Sequence, residues 1–215
     1  NAGDLDCVED AYTRALAKRR QLGDSLLIGR TLNGIGSLHF RRGDYDSALV
    51  YYQEARAVRE RLGRKADLGT TIAYIGNVYY RLGNLGAARR HYQEALDQLG
   101  PNGPQKPVSD AKTGLANVLS ELGEYQEAAR VYSEEATAAL DRGDARWAAV
   151  LRGNLGLELS RMGDHAKALK ELEVARDTLP ALPDTFELAR VVNAIGFVYL
   201  DMTDYPRALK GFEDA

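Results

Sequence analysis

Residues Thr71 to Ala95 read TIAYIGNVYYRLGNLGAARRHYQEA, two helical patterns that meet at Leu82-Gly83-Asn84. In the first, Ile72, Ile75, Val78 and Tyr79 fall on one helical face; in the second, Leu85, Ala88, Tyr92 and Ala95 do the same. Gly83 stands where a helix C-terminus favours a residue that tolerates the left-handed conformation. Gly76 lies inside the first helix, where glycine costs roughly 1 kcal/mol against alanine. Close approach of a neighbouring helix would offset that cost. The stretch therefore predicts a helical hairpin.

The pattern recurs every forty residues. Gly83-Asn84-Leu85 matches Gly3-Asp4-Leu5, Gly43-Asp44-Tyr45, Gly123-Glu124-Tyr125, Gly163-Asp164-His165 and Thr203-Asp204-Tyr205. Ala88 matches Ala48, Ala128, Ala168 and Ala208, with Val8 in the first copy; Tyr92 matches Tyr12, Tyr52, Tyr132, Leu172 and Phe212. Gly76 matches Gly36, Gly156 and Gly196, with Ala116 between them. Such self-similarity marks a stacked repeat array, in which each repeat buries its apolar face only against its neighbours. One array is expected over 1–215, with repeats near 24–63, 64–103, 104–143 and 144–183 and partial ones at 1–23 and 184–215. Helical hairpins are expected at about 25–61, 65–99, 107–141 and 144–179, after a lone second helix from 4 to about 21. The segment reads as a piece of a longer protein, with a last hairpin starting near Asp184 and cut off in mid-helix at Ala215. Two proline-rich links, 100–107 and 179–183, keep the period, so they should shorten the flanking helices.

Composition limits the function. The net charge of −3 and pI near 5.7 argue against a nucleic-acid surface, which needs a basic stripe. No apolar run is long enough to span a bilayer. Cys7 is the only cysteine, which suits a reducing, cytoplasmic setting and makes an inert thiol the simpler reading. His39, His91 and His165 fall in different copies and make no metal set. Gly34-Ile35-Gly36 lacks the preceding strand of a phosphate loop. Trp147 suits inter-repeat packing as well as an anchoring role, and Arg41-Arg42 and Arg89-Arg90 suit solvated helix ends. No catalytic residue, metal or cofactor is expected.

Leu32, Ile35, Gly36, His39, Gly43, Tyr45, Ala48, Tyr52 and Ala55 follow the pattern of a large residue, Leu-Gly, an aromatic, Gly, Tyr, Ala, an aromatic and Ala. This resembles the tetratricopeptide repeat, over the whole chain and in five copies. The usual repeat has about 34 residues. The longer form is similar to repeats of kinesin light chains, of Gly-Asn polarity adaptors and of bacterial signalling regulators. The resemblance implies an all-α fold, a right-handed solenoid of antiparallel hairpins, and a protein-interaction scaffold. It also implies a concave groove lined by the first helix of each hairpin. Carried onto this chain, the groove residues are Arg30, Asn33, Ser37, Arg41, Tyr74, Asn77, Tyr80, Arg81, Asn117, Asn154, Arg190 and Asn193.

An asparagine amide both donates and accepts, so it can hold a peptide backbone whatever its side chains. Helices about 8–10 Å apart would offer one Asn per roughly three residues of an extended guest. The arginines would add charge-assisted bonds to acidic groups, so the expected partner is an acidic peptide or protein segment. Against this stands the plainer reading, in which the asparagines face water or bond locally. The Lys-and-Asn clamp of chaperone adaptors is not reproduced, because its positions hold Asn33, Ala73 and Thr113. Two other readings are a sensor array controlling an effector domain elsewhere, and an oligomerisation module using the array ends. Asn77 and Asn117 are expected to face solvent when the groove is empty. Finally, Lys112, Arg152 and Glu135 occupy slots that other copies fill with apolar residues. A buried ion pair is expected, with Arg152 preferred as the partner of Glu135 for its planar fork.

Overall fold

The computed structural model describes residues 2–179 and 185–214, and among them all regular structure is helical. The order is α1 (Ala2–Leu22), α2 (Ser25–Arg42), α3 (Tyr45–Arg61), α4 (Lys65–Arg81), α5 (Leu85–Leu99), α6 (Gln105–Glu121), α7 (Tyr125–Asp141), α8 (Ala145–Arg161), α9 (His165–Thr178), α10 (Thr185–Asp201) and α11 (Tyr205–Glu213). Helices α4, α6, α8 and α10 start forty residues apart and each has 17 residues, so the sequence period is the structural period. The chain forms two compact units, 1–118 and 119–215. In each, a helix packs on its neighbours along the chain, which is the solenoid of helical hairpins.

The two- and three-residue junctions have a chemical cause. At Gly43 the backbone is left-handed, with φ +81°, and its N–H closes the end of α2 on the carbonyl oxygens of His39 and Phe40. The next residue, Asp44, caps α3 by accepting from the Ser47 N–H at 3.2 Å. Asn84, Asp144, Asp164 and Asp204 repeat the cap at the starts of α5, α8, α9 and α11. Thr203 takes the glycine slot with φ +59°, the one non-glycine residue at positive φ among those described. For a β-branched side chain that conformation is strained by about 1–2 kcal/mol. Thr203→Gly should therefore stabilise the α10–α11 hairpin by about 1 kcal/mol, after glycine's larger unfolded-state entropy is deducted. Slower amide exchange in α10 and α11 is the expected readout; faster exchange contradicts it.

The proline-rich links act on one side only. Helices α5 and α9 are cut to 15 and 14 residues, whereas α6 and α10 keep their full 17. Residues 180–184, which include most of the second link and the expected hairpin start at Asp184, lie outside the described residues, as does Ala215.

The core is a set of slots filled once per repeat. In unit 1 it contains Leu32, Ile35, Ala55, Ile72, Ala88, Tyr92, Ala95 and Ala111, and in unit 2 Ala168, Leu172, Ala175, Val191 and Val198. The interior glycines are where aromatic side chains press on a first helix. A methyl at Gly36 would lie 2.6 Å from the Tyr52 ring, one at Gly76 3.1 Å from Tyr92, and one at Gly196 2.8 Å from Phe212. That packing repays the helix-propensity cost noted in the sequence.

Polar slots change in matched pairs. Arg19 donates to the Thr31 hydroxyl, and one repeat later Arg59 donates to the Thr71 hydroxyl. The following copies replace both members with apolar residues, Leu99 and Ala111, then Ala139 and Leu151, then Leu179 and Val191, all buried. His39 stacks on Tyr51 at 5.3 Å, and Tyr79 on His91 at 5.2 Å, the same two slots with their occupants exchanged. Of the charged intruders, Glu135 is buried, whereas Arg152 pairs with Glu171 of α9 at 2.5 Å. Glu171 played no part in the sequence reading of Arg152.

Candidate functional site

In unit 1 the predicted groove residues belong to α2, α4 and α6, and α2 lies directly beside α4. Arg30, Arg41 and Arg81 are exposed, and Ser37, Tyr74, Asn77, Tyr80 and Asn117 are half-buried. Asn33 departs from the expectation. It is only 7% exposed, and its Nδ2 donates to the Thr71 hydroxyl at 3.3 Å in the seam between α2 and α4. The physical reason is stacking: Ala73 and Thr113, at the same slot, are equally buried. In unit 2 that slot holds Gly153, buried, and Asn193, exposed.

Asn77 and Asn154 are also engaged from within the protein. The Asn77 side-chain oxygen accepts from the Tyr92 hydroxyl at 2.5 Å, as the Ser37 hydroxyl accepts from Tyr52 at 3.0 Å. Asn77 therefore does not simply face solvent, and its amide N–H groups are what remain for a guest. The pairing explains the residue choice. Where the second helix carries a tyrosine, as at 52, 92 and 132, the first helix has Ser37, Asn77 and Asn117; where it carries Leu172 or Phe212, the first helix has Leu157 and Phe197. Burial lifts the Tyr52 phenol to about 12 and raises Tyr92 as well, so both hydroxyls stay protonated donors.

In unit 2, Asn154 and Arg190 meet. The Arg190 Nη1 donates to the Asn154 side-chain oxygen at 2.8 Å, and its other nitrogens reach Glu187 at 2.8 and 2.9 Å. Two of the predicted peptide contacts thus hold each other in the empty protein.

One polar cluster escaped the sequence reading. Glu158 fills the slot of Leu38, Val78, Val118 and Val198, and it is 3% exposed. Its carboxylate accepts from the Ser120 hydroxyl at 2.8 Å and from Arg161 Nη1 at 3.0 Å, with the Arg161 guanidinium over the Tyr125 ring. The slot comparison that singled out Lys112, Arg152 and Glu135 would have found it. Among the described residues no group of three or more His, Cys, Asp and Glu side chains could hold a metal ion, and no helix is long and apolar enough to cross a membrane. Cys7 is a free, exposed thiol.

No curated protein matches this chain in sequence. Among solved structures it is similar to BtubC (BKLC) from P. vanneervenii, with 20% identity, a TM-score of 0.83, and coverage of 98% of this chain and 89% of that one. It is also similar to the apo form of RapI, with 17% identity, a TM-score of 0.78, and coverage of 86% and 68%. A third likeness is to YrrB, described as a TPR protein with an unusual peptide-binding site, with 18% identity, a TM-score of 0.60, and coverage of 94% and 89%. These identities speak for the fold. The tetratricopeptide repeat family model matches residues 2–61, 27–100 and 67–140, well over half of the sequence. The chain belongs to the tetratricopeptide repeat family.

Proposed function

We propose that the chain is a non-enzymatic scaffold that binds a peptide or partner segment along the first helices of its hairpins. The observation that carries this reading is the face of α2 and α4 in unit 1. On these helices Arg30, Arg41 and Arg81 are exposed and the rings of Tyr74 and Tyr80 are half-buried. Aromatic and arginine side chains are the types that dominate protein interfaces. Arg81 is partly positioned by the Tyr45 hydroxyl, 3.2 Å from its Nε. The Asn77 amide N–H groups add donors for a backbone carbonyl, Asn117 fills the same slot one repeat on, and in unit 2 Asn154, Arg190 and Asn193 lie on the first helices α8 and α10. Asn33 is left out because it is buried. The peptide-binding site of the structurally similar YrrB supports the class of ligand, and the arginines support an acidic one. The medium would be cytoplasmic, in keeping with a single free thiol.

A library of random displayed peptides tests this. Peptides rich in Asp and Glu should be selected, and the double variant Arg41→Glu, Arg81→Glu should bind them at least about tenfold more weakly, a loss of about 1.4 kcal/mol. Equal binding by wild type and double variant would remove the groove from the account. A second reading is favoured by one observation: Phe197, Tyr205 and Leu209 are 56%, 64% and 60% exposed on α10 and α11. Large exposed apolar patches serve association. On that reading, sedimentation shows concentration-dependent self-association that Leu209→Glu removes.

A further inference from the structure

The turns that join successive hairpins differ sharply in charge. Residues 17–28 carry Lys18, Arg19 and Arg20 against Asp24; residues 57–68 carry Arg59, Arg61, Arg64 and Lys65 against Glu60 and Asp67. The windows 97–108 and 137–148 are balanced, and 177–188 has three carboxylates and no cation. In a chain of net charge −3, the positive surplus is local to the first two of these turns.

The same edge of unit 1 has a cavity of about 300 Å³, lined by Arg20, Ser25, Ile28, Glu54, Val58, Arg61 and Leu62. This is the lower end of the ligand-site range of about 300–1,000 Å³, room for one or two side chains. Its floor is apolar, since Ile28 is half-buried and Val58 buried, and Leu62 at its lip is 40% exposed. Beside it, Leu22 and Leu26 of the α1–α2 turn are 70% and 41% exposed. The other copies of these slots hold Asn102, Arg142 and Leu182 in place of Leu62, and Ala66, Lys106, Arg146 and Phe186 in place of Leu26, so an apolar turn coincides with a positive surplus only in the first two turns.

The cations around the cavity are not all committed. Arg20 pairs with Glu54 and Arg64 with Asp67. Arg61 donates from Nε to the Ala57 carbonyl oxygen of its own helix at 3.2 Å, which lays the guanidinium along α3. Among the described residues, neither Arg61 nor Lys65 has a carboxylate within salt-bridge distance, and both are exposed. Buried Arg59, beneath them, bonds to the Asp67 carbonyl oxygen at 2.7 Å and to Thr71, with no carboxylate of its own among the described residues.

We infer that this edge is a second interaction surface, separate from the groove, for an acidic segment of a partner protein that carries a large aliphatic side chain. The aliphatic side chain fills the Ile28–Val58–Leu62 cavity, and flanking carboxylates pair with Arg61 and Lys65. Charge complementarity selects an acidic guest, and the apolar floor selects a peptide over nucleic acid, whose recognition needs a stripe of cations. A cavity with Glu54 in its wall is also a poor seat for an anionic lipid surface.

The test is fluorescence anisotropy with two labelled peptides, one alternating Leu with Glu and Asp, the other with every Leu changed to Ala. The leucine peptide should bind, the alanine peptide about tenfold more weakly or not at all. Measured in the Arg41→Glu, Arg81→Glu background, where the groove no longer competes for the acidic peptide, Arg61→Glu and Lys65→Glu should each weaken the leucine peptide about tenfold while circular dichroism shows an unchanged fold. No binding, equal binding of the two peptides, or indifference to Arg61→Glu would overturn the inference. So would binding of phosphatidylserine vesicles or of an oligonucleotide in place of the peptide. Absence of binding in the Arg41→Glu, Arg81→Glu background would assign the peptide to the groove and also remove this surface.

Discussion

Tyr52→Ala is expected to lower stability by about 3–5 kcal/mol, the loss typical of deleting a buried aromatic side chain. The ring is 2% exposed. It lies against the backbone of α2 at Gly36, with Tyr74 of α4 on another side at 5.5 Å between ring centres. One side chain of α3 thus joins its own first helix to the next one. Removing it opens a cavity in a seam where neither α2 nor α4 can close in without breaking the forty-residue stacking. Tyr52→Phe keeps the ring and loses only the 3.0 Å bond to Ser37, so it should cost about 1 kcal/mol. Urea unfolding separates the two, and equal costs would show that the hydroxyl, not the packing, matters at this position.

Gly36→Ala is expected to destabilise by about 2 kcal/mol although alanine is the better helix former. Propensity alone predicts a gain of about 1 kcal/mol. The added methyl, however, would stand 2.6 Å from a Tyr52 ring carbon, and overpacking of this kind costs about 1–3 kcal/mol or more when a rigid ring must move. The two substitutions should be strongly non-additive. In the Tyr52→Ala background the obstacle is gone, and Gly36→Ala should turn neutral or stabilising. If Gly36→Ala is stabilising in the wild-type background, the close approach is not what holds glycine at this slot.

The fold was legible because one short pattern recurs without insertion, so each slot is read several times. Gly83 at a junction and Ala88 in a core slot are ambiguous singly, but in five or six copies they leave one architecture. The site was less legible, for a physical reason. A helix face that a period identifies as free of its own hairpin is not thereby free of the next one. Asn33 looked like a groove residue, yet stacking buries it against Thr71. Asn77 looked like part of an asparagine ladder, yet its oxygen answers the Tyr92 hydroxyl. That second pairing was visible in principle, because the residues at slots 37 and 52 change together from polar to apolar along the chain. Glu158 stands where the other copies have Leu38, Val78, Val118 and Val198, so the slot pattern exposes it, whereas no spacing in the sequence signals the Arg152–Glu171 pair. The edge cavity near Arg61 joins three helices with no shared motif, so sequence spacing alone could not assemble it.

Site-specific photo-crosslinking tests the central claim, that partners dock along the first helices, most directly. A photoreactive phenylalanine analogue at Tyr74, half-buried on α4, should capture a peptide selected by the wild-type chain. The same group at Gln53 or Gln93, exposed on the second helices α3 and α5, should not. Capture at Gln53 and Gln93 with none at Tyr74 would contradict the account.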